Sequence, residues 1–170
     1  MKTNIRFIAL FLLLFLIASC DQFPTEGNDY GFEANRIPEP ITIVPSGEFE
    51  TYYNSMPKDS VTVLDAKIIN SIFFPILKIL IQYKGGCRQH TFELLASWKI
   101  YATLPPQIPV YLGHNAFNDP CSTMIHDVIY FDLEPLREKL EKSGYGSSGE
   151  IIIRLNNEDN HDESKMSLNL

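Results

Sequence analysis

Apolar side chains recur at every second position through long stretches of residues 41–155, and prolines cut the chain wherever a long helix could start. The chain has 11 Pro, all beyond residue 20. Inside a helix each would remove a hydrogen bond and clash with the turn before it. A period of two is the mark of strands with one buried face, so a helical bundle is disfavoured and a β fold is predicted. In the stretch 76–83, Leu77, Ile79, Ile81 and Tyr83 share one face, and Lys78, Gln82 and Lys84 share the other. Further on, Phe92, Leu94, Ala96, Trp98 and Ile100 lie opposite Thr91, Glu93, Ser97 and Lys99. The remaining candidate strands are 41–44, 61–69, 110–114, 125–133 and 150–155. Short strands separated by turn signals predict an all-β antiparallel sandwich of the immunoglobulin-like kind.

One short helix fits a late connection. Pro135 suits a first turn, Leu136 and Leu140 form an i, i+4 stripe, Glu138 and Lys142 can pair, and Gly144 can end the segment. Pro105, Pro106 and Pro109 mark an extended crossing loop. No internal repeat or low-complexity segment is present.

The first residues carry Lys2 and Arg6, then an apolar run from Phe7 to Ala18, then Ser19 and Cys20. This is the charged, apolar, small-residue order of an export signal. The run is too short for a comfortable membrane span, which needs about 20 apolar residues. Its end, Leu16-Ile17-Ala18-Ser19-Cys20, resembles the lipobox of bacterial lipoproteins. That resemblance implies a signal peptide over 1–19, cleavage after Ser19, a diacylglycerol thioether on Cys20 and fatty acylation, such as palmitate, of the new amino group. Two or three chains anchor a protein stably, where one holds it only marginally. The expected location is the cell envelope, with the domain facing the periplasm or the exterior. Asp21 follows the cysteine, a residue linked in enteric bacteria to inner-membrane retention, and the choice of membrane stays open.

Residues 20–40 are rich in acids, Asn, Gly and Pro and have no apolar period. They are expected to form a flexible tether of about 25 Å. Residues 156–170 carry four acids and one Lys and are expected to form a disordered acidic tail. The sandwich domain is therefore placed at 41–155. The formal net charge of −7 argues against nucleic acid as a partner, because phosphate binding calls for Lys and Arg.

Concentrated chemistry lies between Gly85 and Asp127, in GGCRQHTF, LGHNAFNDPC and MIHD. The inward set is odd-numbered up to Tyr83 and even-numbered from Phe92. A turn or bulge at residues 85–89 must flip the phase, and glycine commonly marks such places. Cys87, if its strand continues, His90 and His114 are then expected to face one interior, with Cys121 nearby. With Cys20 assigned to lipid, Cys87 and Cys121 form an even pair in an exported domain, which favours a disulfide closing a separation of 34 residues. The rival is a zinc site built from Cys87, His90, His114 and Cys121, a tetrahedral ligand set that needs both thiolates in an oxidising compartment. A thiol or histidine hydrolase using the same residues is a further alternative.

His126 beside Asp127 is expected on a sheet surface, and the serines of SGYGSSG lack a turn to hold a nucleophile. No phosphate-binding glycine motif occurs. Trp98 with Tyr101, and Tyr52 with Tyr53, could form a platform for a sugar or peptide, although Trp98 shares its face with Phe92 and Leu94 and suits the core better. The segment GGCRQHTFEL, with the later DPC and FDLEPL, resembles uncharacterised small exported bacterial proteins with a GGCxxHxF pattern, and that resemblance carries no activity. The reading is a membrane-anchored, non-catalytic binding or structural module. It needs no cofactor beyond the lipid, and its partner is the membrane together with an envelope protein or glycan.

Overall fold

The computed structural model describes residues 37–70, 73–145, 149–156 and 164–170. The signal, Cys20 and most of the expected tether lie outside these residues. The described strands are β1 (Glu39–Pro40), β2 (Thr42–Val44), β3 (Thr62–Asn70), β4 (Pro75–Gly85), β5 (Thr91–Ser97), β6 (Gln107–Asn115), β7 (Thr123–Asp132), β8 (Glu150–Asn156) and β9 (Ser164–Asn169). Two helices accompany them, α1 (Phe49–Ser55) and α2 (Glu134–Lys142).

The strands form two sheets, ordered β1-β7-β4-β3 and β2-β5-β6-β8-β9. Both are mixed. The pairs β1/β7, β2/β5 and β6/β8 are parallel, and β3/β4, β4/β7, β5/β6 and β8/β9 are antiparallel. The purely antiparallel arrangement is thus corrected. The chain crosses between sheets, at Ile41 and through α2, and so returns to some neighbours in the same direction.

Alternation builds the core between the sheets. Leu77, Ile79 and Ile81 from β4, with Ile129 and Phe131 from β7, meet Leu94 and Ala96 from β5, Ile108 and Val110 from β6, and Ile151 and Ile153 from β8. Leu136 and Leu140 of α2 join the same cluster, both fully buried. Glu138 pairs with Lys142 at 2.7 Å. Gly144, at φ 88°, takes the left-handed conformation that lets the chain leave the helix.

Three departures have local causes. The expected tail is a strand over residues 164–169, because Met166 and Leu168 alternate with exposed Lys165, Ser167 and Asn169 and fill the core beside β8. Pro109 lies within β6 rather than in a loop. It precedes the β5 pairing, which starts at Val110, so that neighbour loses no ladder bond. Helix α1 was not foreseen. It has no side-chain cap and rests on packing: Phe49 and Tyr53 lie against Tyr111 at ring-centroid distances of 5.2 and 5.0 Å. Met56, just past its end, joins Val44 and Leu95 in a second small core. That packing buries the outer face of β5 at Leu95 and Ser97, which alternation had assigned to solvent.

Candidate functional site

The concentrated chemistry gathers at one end of the two-sheet domain, where the β4–β5 loop meets the β6–β7 loop. Strand β4 stops at Gly85, and Gly86 turns the chain at φ 117°. A side chain at Gly85 would place Cβ 2.6 Å from Nε2 of His90, so the glycine is what lets the ring lie on the backbone. The turn supplies the phase flip that the alternation required. It leaves Cys87 exposed instead of inward, because the strand does not continue to it.

Cys87 and Cys121 are joined by a disulfide, with Cα atoms 5.7 Å apart. Within the same loops, Asp119 organises the backbone. Its Oδ2 accepts the N–H groups of Gly86, Cys87 and Arg88 at 3.0, 3.0 and 2.9 Å, and its Oδ1 accepts that of Cys121 at 2.8 Å. Burial alone would raise this carboxyl. The N–H groups of Cys121, Arg88 and Cys87, and the His90 ring, hold it well below the usual carboxylate range instead. The turn that presents Asp119 runs through Phe117 and Asn118, at φ 51° and 53°, with the Asn115 side chain accepting the Phe117 N–H. The Arg88 guanidinium donates to the Phe117 carbonyl and ties the two loops again.

Behind the loops lies a pair of imidazoles. Nδ1 of His90 is 2.8 Å from Nε2 of His114, and Nε2 of His90 is 3.1 Å from Oδ2 of Asp119. The side chains of His90 and Asp119 are each 1% exposed, and so is His114. Nδ1 of His114 lies 3.1 and 3.0 Å from the carbonyl oxygens of Asp59 and Ser60. Aromatic rings hold the pair in place. Phe92, the cross-strand partner of His114, stacks on it at 4.7 Å and 7°, and Tyr83 packs against both imidazoles at 4.6 and 5.2 Å. Burial lowers the affinity of His114 for a proton and the neighbouring His90 lowers it further, while the two carbonyls pull the other way.

The structure brings Cys87 to Cys121, and His90 to His114. It does not gather the four as one ligand set. An Asp119 oxygen and the two cysteine sulfurs lie within 4.8 Å of one another, but the sulfurs are bonded together and offer no thiolate for zinc. Nor do the sulfurs offer a nucleophile, and the ring nitrogens facing protein atoms are engaged by them. Asp119 and the 59–60 carbonyls escaped the sequence reading. The signal was NDPC, an acid two residues before a cysteine in a turn-forming segment.

His90 and Tyr83 line a cleft of about 620 Å³ together with Arg88, Phe92 and Asp127. His114 and Tyr83 line another of about 380 Å³ with Asp59, Ser60 and Lys84. Elsewhere, His126 is exposed on β7. Trp98 packs partly buried against the core with the Lys139 ammonium 4.5 Å above its ring. Tyr53 is engaged by Phe49, Tyr111 and Lys58. The aromatic pairs therefore do not form one platform. Among the described residues no helix is long and apolar enough to cross a membrane.

Neither a protein-family model nor a curated protein matches the chain. Solved structures do resemble it. A NigD-like immunity protein from Bacteroides caccae is 16% identical, at a TM-score of 0.50 over 76% of this chain and 59% of its own. A protein of unknown function from Bacteroides vulgatus is 13% identical, at 0.48 over 79% and 57%. An uncharacterised protein from Parabacteroides merdae is 10% identical, at 0.48 over 78% and 66%. The chain spans about three-fifths of the length of the first two, and at 16% identity the likeness to the first is one of fold alone.

Proposed function

We propose that this chain is a bacterial envelope lipoprotein, held by lipid on Cys20, whose two-sheet domain of immunoglobulin-like kind is a non-catalytic binding or structural module for an envelope protein or glycan. One observation carries the reading. Among the described residues, the densest cluster of reactive side chains is closed on itself, with both sulfurs in a disulfide and the imidazoles bonded to each other, to Asp119 and to backbone carbonyls. A catalytic histidine has to reach a substrate proton, and although His90 and His114 each line a cleft, their ring nitrogens are engaged by protein atoms. The fold shared with a protein described as an immunity protein is compatible with a binding role.

The test uses the full chain in intact envelopes. Wild type is expected to stay with membranes through high salt, Cys20→Ala exported with its signal removed to move to the soluble fraction, and cross-linking to capture a discrete adduct of the wild type. Turnover of envelope material that disappears in His90→Gln would replace the module with an enzyme. A Cys20→Ala protein that still pellets with membranes and resists salt after its signal is removed would overturn the anchor.

A further inference from the structure

Strand β5 is paired along nearly its whole length on one side and along half of it on the other. Toward β6 its partnered residues run from Thr91 to Ala96, and toward β2 only from Leu95 to Ser97. The Trp98 N–H donates to the Val44 carbonyl, which fixes the phase. Even-numbered residues of β5 turn their main-chain groups toward β2, and odd-numbered ones turn theirs toward β6. Both main-chain groups of Phe92 and the N–H of Leu94 therefore face the line of β2 beyond its end. Among the described residues no strand continues that line, because the chain enters β2 from the other sheet, through Ile41. An unpaired stretch of strand edge is a template for another chain.

A cleft opens on each face of this edge, and Thr91 and Phe92 line both. The outer cleft, of about 370 Å³, is bounded by Glu93, by Tyr52 and Met56 at the end of α1, and by Asn115. The cleft of about 620 Å³ lies on the inner side, where Tyr83, His90, Phe92 and Ile129 meet. An added strand turns successive side chains to opposite faces, so its alternate residues enter one cleft and then the other. The charges around the edge are unbalanced. Glu93 stands in the outer cleft, and Glu39 and Asp127 in the inner. The one Arg or Lys among the described lining residues is Arg88, whose guanidinium already donates to the Phe117 carbonyl.

We propose that this edge of β5 takes an extended segment of a partner protein, added to the five-stranded sheet beside Phe92 and Leu94, with apolar side chains in the inner cleft and a Lys or Arg opposite Glu93. The inference rests on the reading of the chain as a binding module and narrows the partner to a polypeptide in β conformation. Main-chain hydrogen bonds to Phe92 and Leu94 supply affinity, and the two clefts select side chains. The residue opposite Phe92 lies on the same face, beside Tyr83 and Ile129, and suits a β-branched or aromatic side chain. Its neighbours in sequence lie on the face of Glu93, where an opposite charge stabilises the pair and a like charge opposes it. The edge thus selects an alternation of apolar and basic residues. A glycan has no row of N–H and C=O groups at strand spacing and does not match it.

The test follows amide hydrogen exchange of the full chain in detergent solution, with a hexapeptide of alternating Val and Lys as the probe. In the free chain the Phe92 and Leu94 amides are expected to exchange faster than those of Glu93 and Leu95, which face β6. The probe should bind saturably and slow Phe92 and Leu94 about tenfold once about nine-tenths of the chain is occupied, since only the free fraction exchanges. A peptide with the same Val and Lys in two blocks, and one alternating Val and Glu, should each bind about fivefold more weakly. Glu93 is exposed, so Glu93→Lys leaves the core intact, and it should reverse the preference between the alternating Lys and Glu peptides. Phe92 and Leu94 amides as slow as Glu93 in the free chain, probe binding that leaves them unchanged, or equal binding of the three peptides would each overturn the proposal. Cross-linking in envelopes separates it from the reading beneath it. An adduct undiminished in Glu93→Lys would overturn the edge and leave the module standing, whereas a probe bound at the edge with no envelope adduct of the wild type would support the edge and count against the module.

Discussion

The two ends of the domain are closed by different physics. At one end α2 lays Leu136 and Leu140 into the core, both fully buried. Apolar burial of this sort responds little to pH or redox state. At the other end a disulfide, a carboxylate gathering backbone N–H groups and a buried imidazole pair do the closing. Every one of those parts depends on oxidation or on a proton. The comparison teaches that one end of a domain can be closed by apolar burial alone while the other is closed by covalent and protonation-dependent groups.

The largest effect is expected from the disulfide. Changing Cys87 and Cys121 together to Ala should cost about 4 kcal/mol on the chain-entropy account, for the separation of 34 residues. Denaturant melts of parent and variant measure it. A reductant should lower the melting temperature of the parent alone, and a chelator should leave both unchanged. Sensitivity to chelator without sensitivity to reductant would restore zinc to Cys87, His90, His114 and Cys121, since a metal's binding energy is then folding energy.

Leu140→Ala probes the opposite end and should cost about 3 kcal/mol, from lost burial and the cavity left behind. Its effect should be the same with and without reductant and across the pH range in which His114 titrates. A Leu140→Ala penalty that grows on acidification would mean that the two ends are coupled rather than independent.

Gly85→Ala is the subtlest of the three. Its Cβ would stand 2.6 Å from Nε2 of His90 and 3.2 Å from Oδ2 of Asp119. The ring cannot swing away while Tyr83 and His114 pack against it, so a cost of about 2 kcal/mol is expected, in the range of overpacked cores. Equal stability of parent and variant at every pH would show that the ring moves freely.

Much of the fold was readable because burial writes itself into a period of two. The stripe Leu77, Ile79, Ile81 is fully buried, and the strands first placed at 41–44, 61–69, 110–114 and 125–133 all appear, with ends shifted by one to a few residues. Helix α2 was readable from its proline, its stripe and its glycine. Strand β9 was hidden because its apolar residues, Met166 and Leu168, follow an acidic run that suggests a solvated tail. Helix α1 was hidden because FETYYNS carries no capping signal and is held by what lies beneath it.

The sequence by itself determined which face of β4 would be buried, where α2 would start and stop, and that a turn must separate Tyr83 from Phe92. Those are local matters, set by periodicity and by the backbone limits of proline and glycine. Only the tertiary structure decided that three strand pairs run parallel, that His90 meets His114, and that Asp119 collects the backbone of both cysteine loops. Strand direction depends on where connections cross between sheets. A hydrogen-bonded chain spanning residues 59 to 119 depends on several loops arriving at one point, and a one-dimensional pattern carries no record of that meeting.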